Sequence, residues 1–306
     1  MKYVFLINPV AGKGNLQDGI AENIKKYFED KDEDYVIHIT TGKGDTKKMA
    51  HEYAVSGERC VIFACGGEGT VFEALNGVVG YDNVSIGVIP CGSANDFLKF
   101  YDDKQKFFDI ERQVCGEEIP VDLIKVGDTY CLNGCSVGMD AVVARDMSLF
   151  KNWPLVSGPL AYKLAIVKTF LSKIGIEAKI TVDGNETYNQ RCLFAVVANG
   201  PYYGGGYMAA PYAVPDDGKL DFTMVDVISK LRVPKFLKLY EKGEFQSLDY
   251  CRMKNCTSME FVSEKPVPVN LDGEIIESSH LKFEIVKGGI NFVIPKGVRV
   301  KNLIKN

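Results

Sequence analysis

The sequence predicts an α/β domain built on a parallel sheet, followed by a mostly antiparallel β-sandwich domain. Three observations predict it. Apolar runs alternate with helical patterns over the first hundred residues, and glycine-rich polar loops follow the apolar runs. Beyond residue 120 the pattern gives way to closely spaced β-type segments divided by turns. Near-continuous apolar strands alternating with helices imply a parallel sheet covered on both faces. Runs of short strands suit an antiparallel sandwich or barrel.

Tyr3–Ile7 reads as the first strand and ends in the Pro/Gly-rich loop Asn8–Gly14. A helix follows, with Ile20, Ile24, Tyr27 and Phe28 on one face. Tyr35–Thr40 alternates as a strand, and Thr46–Ser56 reads as a helix. Cys60–Ala64, Thr70–Val79 and Val84–Ile89 continue as strand, helix and strand. The β-rich part comprises Ile119–Val126, Thr129–Val137, Glu177–Val182, Cys192–Ala198, Lys219–Val227, Thr257–Val262 and His280–Val286. Asp183-Gly184 and Gly288-Gly289 are expected turns, and Pro159–Lys173 and Val233–Tyr240 are expected helices. The expected domains are 1–120, rejoined by the C-terminal segment 295–306, and 121–294.

The 306 residues are 46% hydrophobic and 25% charged, the composition of a soluble globular protein. Thirty-six basic against 40 acidic residues give a net charge of -4, which argues against a nucleic-acid partner. The N-terminal apolar run is too short for a signal-peptide core, and no run approaches a membrane span. A cytoplasmic protein is expected. Nine cysteines form no CxxC pair, so neither a zinc ribbon nor a thioredoxin-like site is supported.

Three loops carry the chemistry. Asn8-Pro9-Val10-Ala11-Gly12-Lys13-Gly14 follows the first strand, where small residues let backbone approach a phosphate at a helix N-terminus. It lacks the Walker A spacing, and an ordinary strand-to-helix turn stays open for it. Gly66-Gly67-Glu68-Gly69-Thr70 repeats the arrangement after the third strand. Its Glu68 carboxylate makes sense beside phosphates if a magnesium ion shields the charge. Pro90-Cys91-Gly92-Ser93-Ala94-Asn95-Asp96-Phe97 follows the fourth strand. Loops of this kind at one sheet edge suit a nucleotide in the crevice at the strands' carboxyl ends.

NPVAGKG, GGEGTVFEALNG and IPCGSANDF resemble the signature segments of the diacylglycerol kinase catalytic family, which includes bacterial soluble lipid kinases and sphingosine and ceramide kinases. The resemblance continues through Asn133–Ala141, Gly158–Tyr162, Asn199–Gly206, Pro211–Asp221 and Leu271-Asp272-Gly273-Glu274, over nearly the whole chain. It implies an ATP- and Mg²⁺-dependent lipid kinase whose acceptor is most plausibly diacylglycerol. Asn8, Val10, Ala11, Gly12, Lys13, Gly14, Thr41, Gly66, Gly67, Gly69, Thr70, Ser93 and Asn95 would then line the nucleotide, and Asp96 completes the GTxND-like segment. The family's β-sandwich domain returns its DGE segment to the cleft between domains. Glu274 resembles the general base, with Asp272 facing the phosphates. In an extended strand these two carboxylates would share a face; a plain hairpin turn is the rival reading. Val214–Asp221 resembles a structural magnesium site, with the Asp217 carboxylate and the carbonyls of Val214 and Lys219 as ligands. Asp-Asp-Gly is also a common turn.

The family usually has aspartate where this chain has Glu68, which leaves open a weakly active or inactive nucleotide- or lipid-binding regulator. A soluble-metabolite kinase is a third reading. The partner implied is a lipid at a membrane surface, met peripherally; a homodimer stays open. Asn76 holds its loop or caps its helix. His38, His51 and His280 are scattered singly. Trp153 and Pro154 are expected to pack in ordinary fashion rather than touch a membrane. Lys163, Lys168 and Lys173 spread around their helix, so no basic membrane-facing stripe is expected.

Overall fold

The computed structural model describes residues 1–12, 16–92, 95–151, 153, 156, 158–171 and 175–301. Lys13, Gly14 and Ser93, expected at the nucleotide, lie outside these residues. So do Pro154, the end of the expected helix at 172–173, and residues 302–306. The chain divides into two compact units, residues 1–123 with 287–306 and residues 124–286.

Unit 1 starts with β1 (Lys2–Ile7), α1 (Leu16–Phe28), β2 (Asp34–Ile39), α2 (Asp45–Val55), β3 (Cys60–Gly66), α3 (Glu68–Val78) and β4 (Val84–Pro90). Two 3₁₀ turns, Asp96–Phe100 and Lys104–Phe108, and the short α4 (Ile110–Val114) lead into β5 (Glu117–Val126). The strands lie in the order β2-β1-β3-β4, every neighbouring pair parallel. Tyr3, Phe5 and Ile7 alternate onto the face that meets Ile24 and Phe28 of α1. Phe5 stacks on Phe63 of the next strand with centroids 4.9 Å apart. From β1 the chain steps to β2 on one side and then to β3 on the other. The strand order therefore reverses between β1 and β3, and in open α/β sheets the carboxyl ends of the strands at such a reversal are where ligands bind.

Unit 2 holds β6 (Thr129–Cys131), β7 (Gly134–Gly138), α5 (Met139–Lys151), α6 (Gly158–Leu171), β8 (Ile176–Val182) and β9 (Glu186–Ala198). After these come β10 (Leu220–Asp226), α7 (Val233–Lys242), β11 (Cys251–Cys256), β12 (Ser258–Leu271) and β13 (Glu274–Ile294). The order is β11-β10-β9-β7-β12-β13, with β8 paired to both β9 and β12, and every pairing is antiparallel. Phe194, Phe236, Tyr240 and Phe245 centre its core. The chain re-enters unit 1 along β13, whose Asn291 and Phe292 pair in parallel with Ser85 and Ile86 of β4.

The architecture is the α/β domain and antiparallel β-sandwich that the sequence predicts. Several details differ. The expected segment Thr129–Val137 is two strands, broken at Leu132-Asn133. Gly288-Gly289 is no turn: it lies inside β13, where Gly288 takes φ 55° and donates its N–H to Asp122. The two 3₁₀ turns, α4, α5 and β11 were not foreseen. α5 follows β7 with only Gly138 (φ 117°) as the corner, so no polar loop announces it. β11 is a short edge strand, CRMKNC, in which only Cys251 and Met253 alternate onto the core.

Gly77 of α3 faces α2 so closely that a Cβ there would lie 2.5 Å from the Lys47 carbonyl and 2.9 Å from Ala50 Cβ. Gly77→Ala should therefore destabilise unit 1 by about 1–3 kcal/mol in denaturant unfolding. Gly19 of α1 has open space at its Cβ position. Gly19→Ala should stabilise by about 0.5–1 kcal/mol in the same assay.

Candidate functional site

The loops at the carboxyl ends of β1 to β4 are stitched together by named bonds. Asn8 Oδ1 accepts the Val10 N–H at 3.1 Å, and Asn8 Nδ2 donates to Thr70 Oγ1 at 3.0 Å. That second bond spans the reversal point between β1 and β3. Beyond β2, Thr41 donates its N–H and its hydroxyl to the Asp45 carboxylate at 2.7 and 2.9 Å. These bonds hold Asp45 below the usual carboxylate range. Gly12, with φ 74°, turns the first loop.

The β4 loop is fastened on the β3–α3 turn. The Gly66 carbonyl accepts from Cys91 N–H at 3.0 Å, Gly92 N–H at 3.2 Å and Asn95 Nδ2 at 3.4 Å. A Cβ on Gly92 would lie 2.5 Å from Gly67 Cα, and one on Gly66 would lie 2.2 Å from Thr70 Oγ1. Only glycine permits that crossing. Glu68 Oε1 accepts the Asp96 N–H at 3.0 Å, and the buried Asp96 carboxylate meets Lys99 Nζ at 2.6 Å. Burial, then Lys99, holds the nearby Lys104 ammonium below its ordinary range, against the pull of Asp96 and Glu68.

Asn95 is left-handed (φ 48°) and only 4% exposed, and its Oδ1 meets no donor among the described residues. A buried acceptor left open beside bare glycine backbone at the α3 N-terminus fits a nucleotide. Such a terminus offers N–H donors and a partial positive charge to phosphate, while an unused buried acceptor is costly without a ligand.

In unit 2, Asp272 and Gly273 have φ 50° and 95° and form the turn that joins β12 to β13. The turn of the hairpin reading is thus observed, but the Asp272 carboxylate is not solvated as that reading has it. The same-face argument for Asp272 and Glu274 does not hold, because Asp272 is not extended. Its carboxylate accepts the N–H groups of Leu132, Asn133 and Gly134, the last at 2.7 Å. Burial pushes it up to about 6, although these amides favour the anion. Glu274 opens β13 and is partly exposed. Next to this loop, Asn133 Nδ2 donates to the Tyr202 carbonyl at 2.9 Å, and its buried Oδ1 has no donor among the described residues.

Asp140, in the first turn of α5, is enclosed in the unit 2 core. Burial drives it up to about 6, opposed in part by the hydroxyls of Ser136 and Tyr203, which bond each other at 2.6 Å. Asp217 Oδ1 accepts the Lys219 N–H at 2.9 Å, and the Asp217 N–H reaches the Val214 carbonyl at 3.4 Å. The buried Asp221 close by is pushed up to about 7 by burial and then by Asp217. No three His, Cys, Asp or Glu side chains converge on a metal position among the described residues. One carboxylate and two carbonyls are an oxygen set that Mg²⁺ accepts with water completing its shell.

The diacylglycerol kinase catalytic domain matches residues 2–126, and the YegS C-terminal NAD kinase beta sandwich-like domain matches residues 133–294. The chain belongs to the diacylglycerol kinase catalytic family. This makes it a phosphotransferase of the lipid-kinase class. A Staphylococcus haemolyticus protein named "Putative lipid kinase" is 29% identical over 97% of this chain and 94% of its own. A similarly named Staphylococcus epidermidis protein is 27% identical over 92% and 93%. A Bacillus anthracis crystal structure titled as "a putative diacylglycerol kinase" shares the fold with TM-score 0.75 at 24% identity, covering 96% of this chain and 97% of that one.

Of the residues that the family resemblance singles out, Asn8, Gly12, Thr41, Gly66, Gly67, Glu68, Gly69, Thr70, Asn95 and Asp96 gather at one sheet edge of unit 1. Asp272, Glu274 and Asp217 lie in unit 2. Asn76 donates to the Phe72 carbonyl at 2.9 Å inside the last turns of α3. His38 and His280 pair with Tyr53 and Glu260. Sequence reasoning gave no role to Lys99, Lys104, Asn133 or Asp140. For Asp140 the signal was present, as a carboxylate set among Val137, Met139, Ala141, Val142 and Val143.

Two predictions follow from this geometry. In Glu68→Asp the carboxylate retreats by one methylene from the Asp96 N–H. Hydrogen exchange at that amide should rise about tenfold, and unchanged exchange would show that the bridge does not hold the loop. Asp140, raised when folded, costs stability once ionised, and that cost grows as pH climbs from about 4 through about 6. Asp140→Asn should therefore add on the order of 2 kcal/mol above pH 7, a gain that shrinks as the pH falls towards 4.

Proposed function

We propose that this kinase moves the γ-phosphoryl group of ATP to the hydroxyl of diacylglycerol, giving phosphatidic acid. Residues 1–120 with 295–306 serve the nucleotide, and residues 121–294 serve the lipid. The observation that carries the reading is the glycine crossing of Gly66, Gly67 and Gly92 beside the open acceptor of Asn95.

In this reading Asn8, Val10, Ala11, Gly12, Lys13, Gly14 and Thr41 line the nucleotide from the first two loops. Gly66, Gly67, Gly69, Thr70, Ser93 and Asn95 line it from the next two. The crossing keeps side chains off the backbone amides, which then meet phosphate oxygens directly. Glu68 and Asp96 hold the β4 loop in register, and Asp96 keeps Lys99 beside the site. Glu274 accepts the proton of the acceptor hydroxyl as its oxygen bonds to phosphorus and the bond to the ADP oxygen breaks. Asp272 holds the Leu132–Gly134 loop through its amides. Val214, Asp217 and Lys219 supply oxygen ligands for Mg²⁺, which when bound neutralises carboxylate charge and stiffens the turn. The enzyme meets its lipid as a peripheral protein; no described helix is long and apolar enough to cross a membrane.

The test is transfer of labelled γ-phosphate from ATP to mixed micelles holding one lipid each, with Mg²⁺. Diacylglycerol should yield labelled phosphatidic acid, and Glu274→Ala should lose about a hundredfold or more in kcat. Omitting Mg²⁺ should abolish turnover. Measurable ATP binding without product from any lipid would overturn the reading.

A further inference from the structure

α6 is unusual for a surface helix. Ala161, Ala165 and Thr169 face inward, yet Leu160 and Val167 are 43% and 55% exposed. Leu160 and Val167 are two turns apart and share a face, so apolar side chains reach solvent there, with the exposed Lys168 on the same helix. Leu149 of α5 is 53% exposed, and Trp153, just beyond α5, is 57% exposed. Trp153 meets Phe150 edge to face with centroids 5.1 Å apart and leaves the rest of its ring in solvent. The expectation that Trp153 packs in ordinary fashion is therefore corrected: Phe150 covers only part of it.

The charge pattern points to what covers this face. From Met147 to Ile176 the sequence holds Lys151, Lys163, Lys168 and Lys173 and not one Asp or Glu, in a chain of net charge -4. Thirty acid-free residues with four lysines coincide with the exposed apolar set. At the inner border Lys168 Nζ lies 3.0 Å from Asp146, so that lysine is partly committed. Exposed aliphatic groups, a tryptophan and a local positive excess suit the interface of an anionic bilayer. Apolar side chains enter among the acyl chains there, tryptophan sits at headgroup level, and lysines meet lipid phosphates.

We infer that the α5–α6 face, through Leu149, Trp153, Leu160 and Val167, is the surface by which this enzyme docks on an anionic lipid bilayer. The inference rests on the proposed lipid substrate for its biological sense, but its test needs no turnover. Trp153 is the only tryptophan in the chain, so its emission reports on this face alone.

The full-length protein without ATP is mixed with phosphatidylcholine vesicles, with or without phosphatidylglycerol. Expected are co-sedimentation favoured by phosphatidylglycerol, a blue shift of Trp153 emission, and quenching by brominated acyl chains. The double variant Leu160→Glu/Val167→Glu, checked for an unchanged melting temperature, should bind vesicles at least about tenfold more weakly. Lys163→Gln should weaken binding about fivefold, following the ~1 kcal/mol of a lysine at an anionic surface. Co-sedimentation with unchanged Trp153 emission would place the membrane contact elsewhere and overturn the inference. So would no binding to either vesicle. A blue shift that grows with protein concentration in the absence of vesicles would assign the face to a second copy instead. If the micelle assay fails while vesicle docking holds, only the kinase reading falls.

Discussion

The Gly66 carbonyl is the acceptor on which the unit 1 site depends. It sits on the last paired residue of β3, opposite Pro90, where a helical turn must begin at once. Cys91, Gly92 and Asn95 all donate to it. One oxygen thereby fixes the start of α3 and the course of the β4 loop. The closeness of Gly92 to Gly67 is the steric consequence, since two chains cannot share one carbonyl and also carry side chains at the crossing. The left-handed backbone of Asn95 is the conformational consequence. Asn95 reaches back to Gly66 with Nδ2, and its carbonyl oxygen is left over. A strained, buried residue with an unused acceptor persists only where surrounding structure over-determines it. Here the fastenings on either side, at Cys91 and Gly92 and at the Glu68–Asp96 bond, do so.

Unit 2 places its carboxylates by a different logic. Asp140, Asp221 and Asp272 are each lifted by burial, and each has polar neighbours that offset that cost only in part. Asp272 is the best served, because the turn of positive φ points it at successive amides of the Leu132–Gly134 segment. That clamp is also why the expected strand through 129–137 breaks: the chain must bend at Leu132-Asn133 to present those N–H groups together. An interaction some 140 residues away in sequence thus sets a local strand boundary.

The same contrast explains what was legible in the sequence. In unit 1 the signal is local. Each strand is a short apolar run and each loop a glycine cluster, so β1 to β4 and their helices are readable from periodicity and turn residues. The family motifs then name the loop residues one by one. In unit 2 the deciding contacts are distant, and Asp272-Gly273 looks alike as a solvated turn or as a buried clamp. β11 is so short that its alternation is carried by Cys251 and Met253 alone, and α5 starts at a single glycine corner, so neither leaves a clear pattern. Trp153 reads as a packing residue by type, and only its exposure shows otherwise. Lys99 and Lys104 carry no motif at all; their place beside Asp96 comes from the 3₁₀ turns.

Glu68 shows how a departure from a family pattern gains meaning from geometry. Read as a letter, glutamate in place of aspartate suggests misplaced or decayed chemistry. In the fold its longer arm reaches from the α3 N-terminus to the Asp96 amide, across the gap that the glycine crossing leaves. A carboxylate there also favours the first turn of α3, where negative charge meets the positive end of the helix. Charge at the helix start is kept, and the extra methylene is used in joining two loops. The substitution therefore alters what braces the site more than what the site presents. It is compatible with turnover provided Asp96, held by that brace, keeps Lys99 where it is.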